Sequence, residues 1–194
     1  MIRKDFVLYA VLIVLALLSL WQFVSNGYLK NQIYVLGNHE MQMQKYNEQL
    51  QLLSGIGQLK STHMHADVKV YVGGKPVDFS QKKYQLATSY IHFEEGIGEV
   101  IHVHATGLTL GHLFNSLGLG INSKCVSFEN QNYCSDSGKK LRLYVNGKLN
   151  DEYGSYTLQD LDKILVSYGN DAQPEIQKHL NSITNLAPKL SGKA

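Results

Sequence analysis

Two short histidine repeats, His63-Met64-His65-Ala66-Asp67 and His102-Val103-His104, together with His92-Phe93-Glu94, hold five of the eight histidines in the chain. At this histidine frequency roughly 0.3 His-x-His pairs would arise by chance, and two occur. Side chains alternate across a strand, so residues two apart share a face and each repeat aims two imidazoles the same way. Imidazole with carboxylate suits zinc, copper, nickel or iron, and the lack of a nearby thiolate argues against a closed, finger-type zinc site. The candidate ligands are therefore His63, His65, Asp67, His92, Glu94, His102 and His104, with Glu94 or Asp67 serving either as ligand or as the partner that fixes a tautomer. Copper or zinc is the expected metal. Neutral histidines tied to Asp67, Glu94, Glu99 or backbone would explain one such residue more readily than this cluster, whose imidazolium forms would repel one another.

For these residues to meet, they must lie on one face of neighbouring strands. Met64, Ala66, Val68 and Val70 fall opposite His63, His65 and Asp67; Ile101, Val103 and Ala105 oppose His102 and His104; Ile91 and Phe93 oppose His92 and Glu94. Period-two alternation from Ala66 to Val72, closed by Gly73-Gly74, predicts a hairpin. Further strands are expected over 90–93, 100–105, 125–129, 140–145 and 164–168. Val70-Tyr71-Val72-Gly73-Gly74-Lys75 echoes Leu143-Tyr144-Val145-Asn146-Gly147-Lys148, which implies two matching hairpins. A short helix is expected over 109–117, capped by Thr109 and stopped by Gly118, with Leu110, Leu113, Phe114 and Leu117 as its apolar stripe and His112 on its solvated side. A last helix is expected from Pro174, and the Pro188 to Ala194 end is expected to fray. The fold class is thus α+β, a mainly antiparallel β domain with one short packed helix and a C-terminal helix.

Ahead of that domain, residues 6–25 carry no charge, and twenty residues at 1.5 Å each span about 30 Å of hydrocarbon. The run exceeds the h-region of a signal peptide and no clear A-x-A site follows, so an uncleaved anchor is expected. Arg3 and Lys4 precede it, and Trp21 and Tyr28 lie near its far end. That arrangement predicts a single-pass cell-membrane protein, in contact with lipid through residues 6–25, with a cytoplasmic N-terminus and an extracytoplasmic domain. The expected organisation is anchor 1–27, helical stalk 28–60, β-rich domain 61–170, and C-terminal helix and tail 171–194. Leu29, Leu36, Met43 and Leu50 form one apolar column of the stalk, but the partner positions Glu40 and Asn47 are polar, so homodimerisation through it is only weakly specified. Cys125 and Cys134 suit a structural disulfide in an oxidising compartment; the C-x-x-C spacing of redox-active pairs is absent.

The motifs His63-x-His65-Ala66-Asp67, Val100-Ile101-His102-x-His104-Ala105-x-Gly107 and Tyr144-Val145-Asn146-Gly147-Lys148 resemble those of uncharacterised, membrane-anchored, histidine-rich proteins of archaea and some bacteria, over roughly Thr62 to Gly169. In that group the segment ahead of Val100 often reads His-x-His; Glu94 stands at the second position here and becomes a substitute ligand. Separately, Thr109 to Gly118 with the later Tyr-Val-Asn-Gly hairpin and Asp162-Lys163-Ile164 is similar to the end of a β-grasp domain, which implies a helix on one sheet face and an open second face for the histidines. Neither likeness implies an activity. A net charge of +2 with scattered lysines gives no footprint for nucleic acid. The expected function is a membrane-tethered, extracytoplasmic metal-binding module. A metal-dependent enzyme would need an open coordination position beside an acid or base such as Glu94 or Glu99, and no known metallohydrolase signature occurs. A thiol-disulfide protein would rest on Cys125 and Cys134 alone, and a structural envelope or interaction domain would need no metal.

Overall fold

The computed structural model describes residues 4–192; Arg3 of the basic flank and Lys193 and Ala194 of the tail lie outside them. The chain divides into two compact units, 1–53 and 54–194. The first is one continuous helix, α1 (Lys4–Ser54), whose stretch from Phe6 onward is long and apolar enough to cross a membrane, with a mean hydropathy of 2.4 in its most apolar window. No break separates span from stalk. Gly27 and Gly37 are absorbed within it, and the helix stops at Gly55, whose φ of +71° supplies the left-handed residue that ends many helices. The expected stalk boundary at residue 60 is therefore not seen: Gly57 N–H donates to Thr106 O (2.9 Å) and Lys60 N–H to His104 O (2.6 Å), which ties this segment to the second unit.

Among the described residues the second unit is built on a seven-stranded sheet ordered β3 (Ile91–Glu94), β4 (Ile97–Val103), β1 (Met64–Val72), β10 (Lys163–Gly169), β8 (Lys140–Val145) and β9 (Lys148–Asn150), with β2 (Lys75–Pro76) paired to the end of β1. Neighbours are antiparallel except β1 and β10, which run parallel at the centre with Val68 opposite Ile164 and Val70 opposite Val166. The two echoing hairpins both form. Gly73-Gly74 and Asn146-Gly147 have positive φ at both turn residues, as a two-residue turn matched to strand twist requires.

The apolar halves of the strands make one face. Ala66, Val68, Val70, Phe93, Ile101, Val103, Leu143, Ile164 and Val166 are buried there beneath α2 (Leu110–Ser116), which contributes Leu110, Leu113 and Phe114. Three short strands, β5 (Gly120–Ile121), β6 (Cys125–Phe128) and β7 (Gln131–Cys134), form a second sheet. In it Cys125 pairs with Cys134 in register and is disulfide-bonded to it, Cα–Cα 4.0 Å.

The second face is not left open. α3 (Gln173–Asn181) lays Ile176 on Leu165 and Tyr144, and Tyr71, Leu180 and Ile183 pack around them. α4 (Ala187–Leu190) follows, with Ala187 wholly buried. The expected fraying from Pro188 onward is thus corrected for the described residues, because this segment has a bonded seat on β1, described below. The helices take the β8–β10–β1 part of the face and the histidines take β1–β4–β3.

Candidate metal centre

His65, His102 and His92 lie side by side across β1, β4 and β3: His65 is directly opposite His102, and His102 directly opposite His92. His63 precedes β1 and His104 follows β4, so both flank that row at one end. The rings are close, with centroids 4.6 Å apart for His65–His102, 4.8 Å for His63–His65, 4.9 Å for His63–His104 and 5.1 Å for His92–His104. One ring nitrogen from each of His63, His65 and His102 falls within 4.8 Å of the others, a spacing a metal ion could close. His65, His92 and His102 are buried while His63 is exposed, so an ion could enter from the His63 side.

The buried rings are held by their second nitrogens or by neighbours. His65 Nδ1 lies 2.7 Å from Ser191 Oγ, just past α4. His92 Nδ1 lies 2.7 Å from Thr88 O, and its Nε2 lies 3.2 Å from Glu94 Oε2. His102 Nδ1 is 3.2 Å from Glu94 Oε1, within ion-pair range but off the hydrogen-bonding axis, so this buried nitrogen has no hydrogen-bond partner. Burial pushes the His102 imidazole down to about 4, with His65, His92 and His104 adding to the shift and Glu94 opposing it. Burial and the neighbouring His92 and His63 lower His104 as well. Both rings are therefore neutral at physiological pH, the form that binds a metal.

Asp67 requires a correction. Alternation places it on the histidine face, yet it does not join the cluster: it is fully buried and spends both oxygens on the C-terminal segment. Oδ1 accepts from the Thr184 hydroxyl (2.5 Å) and Leu186 N–H (2.9 Å), and Oδ2 from Ala187 N–H (3.2 Å). A carboxylate so engaged has little to offer an ion. His112 is likewise not a solvated bystander. Its Nδ1 accepts from Thr109 N–H (3.0 Å) while Thr109 Oγ1 accepts from His112 N–H (3.3 Å), a capping box with histidine in the place usually held by Glu or Gln. Ser191 escaped the sequence reading because it is 126 residues from its partner and no local pattern marks it.

Clefts of about 450 Å³ beside Val68 and Phe79 and about 560 Å³ beside His112 and Gly154 are not lined by His63, His65, His92, His102 or His104. The donor set is imidazole and carboxylate; both cysteines are committed to their disulfide. No protein family matches the chain, and no curated protein or solved structure matches it significantly.

Proposed function

We propose that this protein is a membrane-tethered module that holds a transition metal, copper or zinc, on the extracytoplasmic side of the membrane. The observation that carries the reading is the convergence of His63, His65 and His102, whose ligand nitrogens lie within 4.8 Å of one another on adjoining strands. A set of imidazoles without thiolate fits Cu(II) and Zn(II). The apolar helix fits a single-span anchor in contact with lipid, Arg3 and Lys4 ahead of it favour a cytoplasmic N-terminus, and the disulfide suits an oxidising compartment. Kinship with the histidine-rich, membrane-anchored proteins resembled above fits the same reading. The stalk's exposed Leu29, Leu36, Met43 and Leu50 would serve a homodimer.

The test is equilibrium binding of Zn(II) and Cu(II) to the chelator-stripped full chain in detergent. The protein should bind with high affinity, and His63→Ala with His65→Ala should remove an ion while the β unit keeps its circular dichroism. Identical binding by the folded double variant and the parent would refute the reading.

A further inference from the structure

Glu94 sits between two imidazoles, and a hydrogen bond accounts for only one of the two contacts. Thr88 O, 2.7 Å from His92 Nδ1, can only accept, so His92 Nδ1 carries a proton. Its Nε2 lies 3.2 Å from Glu94 Oε2, a contact that a proton or another cation between the two atoms would hold. The other carboxylate oxygen, Oε1, is 3.2 Å from His102 Nδ1, which belongs to a residue only 5% exposed and has no hydrogen-bond partner. A proton on His92 Nε2 would settle the first contact and leave the second unexplained. A metal ion would settle both: with bonds near 2.1 Å, neighbouring ligand atoms of a four- or six-coordinate ion stand about 3.0–3.4 Å apart.

We propose that His92 Nε2, the Glu94 carboxylate and His102 Nδ1 form a second divalent-cation position beside the first, with the His102 ring shared between the two. This rests on reading the histidine face as a metal centre and adds a distinct site to it. His102 would serve the first position through Nε2, the nitrogen its contact with Glu94 leaves available; binding through both nitrogens makes the ring an imidazolate, and its single N–H proton passes to solvent as the second ion binds. His104, whose ring centroid is 5.1 Å from that of His92 and 4.9 Å from that of His63, borders both positions. The shared ring makes the two positions neighbours, held apart by the width of an imidazole.

The experiment is metal stoichiometry by equilibrium dialysis and mass-spectrometric metal analysis, on the chelator-stripped full chain in detergent with Zn(II). The parent should bind two ions per chain. Glu94→Gln, which keeps the shape and removes the charge of a partly exposed side chain, should bind one, and His92→Asn gives the same reading should Glu94→Gln fail to fold. His63→Ala with His65→Ala should also leave one. A parent that binds a single ion unaffected by Glu94→Gln overturns the second position and leaves the first intact. Loss of all metal on Glu94→Gln, in a folded protein, overturns it in favour of one merged centre. No binding by the parent overturns this proposal together with the function it rests on.

Discussion

Replacing Asp67 should release the C-terminal segment from the sheet. The carboxylate is fully buried and accepts from Thr184 Oγ1, Leu186 N–H and Ala187 N–H, the last of these buried on both sides. Hydrogen bonds to a charged acceptor contribute about 1.5–3 kcal/mol each, but three on one group are not additive, and the loss also strands buried amide protons. We expect Asp67→Ala to cost about 3–5 kcal/mol, the range for breaking one partner of a buried charged network. Asp67→Asn should cost nearly as much, because whichever way its amide turns, an NH₂ group faces protein donors. At about 2–4 °C per kcal/mol for a domain of this size, the melting temperature should fall by about 10 °C. Near-UV circular dichroism of the full chain in detergent follows the eight tyrosines of the β unit as a change on heating, over the background of Trp21 and four tyrosines in α1. Amide exchange at Leu186 and Ala187 distinguishes local opening from global unfolding. Melting within about 1 kcal/mol of the parent, with both amides still protected, would refute the clasp.

Thiol trapping of the denatured, unreduced protein should find no free cysteine, and Cys125→Ser with Cys134→Ser should lose roughly 2–3 kcal/mol in urea denaturation, the chain-entropy value for so short a loop; free thiols in the isolated protein would contradict the structural staple. The metal-free protein should also weaken in acid. Burial lowers the folded-state pKa of His102 to about 4 from an ordinary 6.5, so its contribution is fully present above pH 6.5 and is lost as pH falls from there toward 4, where the folded form also takes up the proton. The expected loss is on the order of a few kcal/mol at most, read from urea midpoints at pH 7.5 and 4.5, and His102→Asn should flatten the profile; a parent midpoint that does not move would show that these rings carry no penalty.

Alternation alone was enough to assign faces. Because Met64, Ala66 and Val68 are unmistakably apolar, His65 and Asp67 had to lie on the other side, and the strand pairings then bring His65, His102 and His92 into one row. Alternation says nothing about what else comes to that face. Asp67 is claimed by residues 117–120 positions away, and His65 by Ser191, so its use as a clasp could not be read from its neighbours. His112 was misread because a capping box is recognised by Glu or Gln at the third helical position, whereas an imidazole nitrogen accepts the same amide proton. The span and stalk merge because nothing between Phe6 and Ser54 stops a helix: two separated glycines cost about 1 kcal/mol each in a helix interior, and proline is absent until residue 76.

The parallel pairing of β1 with β10 sets an order of assembly. The candidate ligands all come from residues 63–104, and β1, β4 and β3 join by antiparallel contacts of modest sequence separation. The other edge of β1 stays unpaired until Lys163–Gly169 arrives to fill the gap between it and β8, at a separation of 96 residues in the pairing of Asp67 with Lys163. Non-local pairings of this kind are slow, because the chain must be closed into a long loop before any contact rewards it. During synthesis β1 would therefore exist with its imidazoles gathered and one backbone edge bare. In that interval Asp67 and Lys69 face what is later the covered side and oppose edge-to-edge association with other chains.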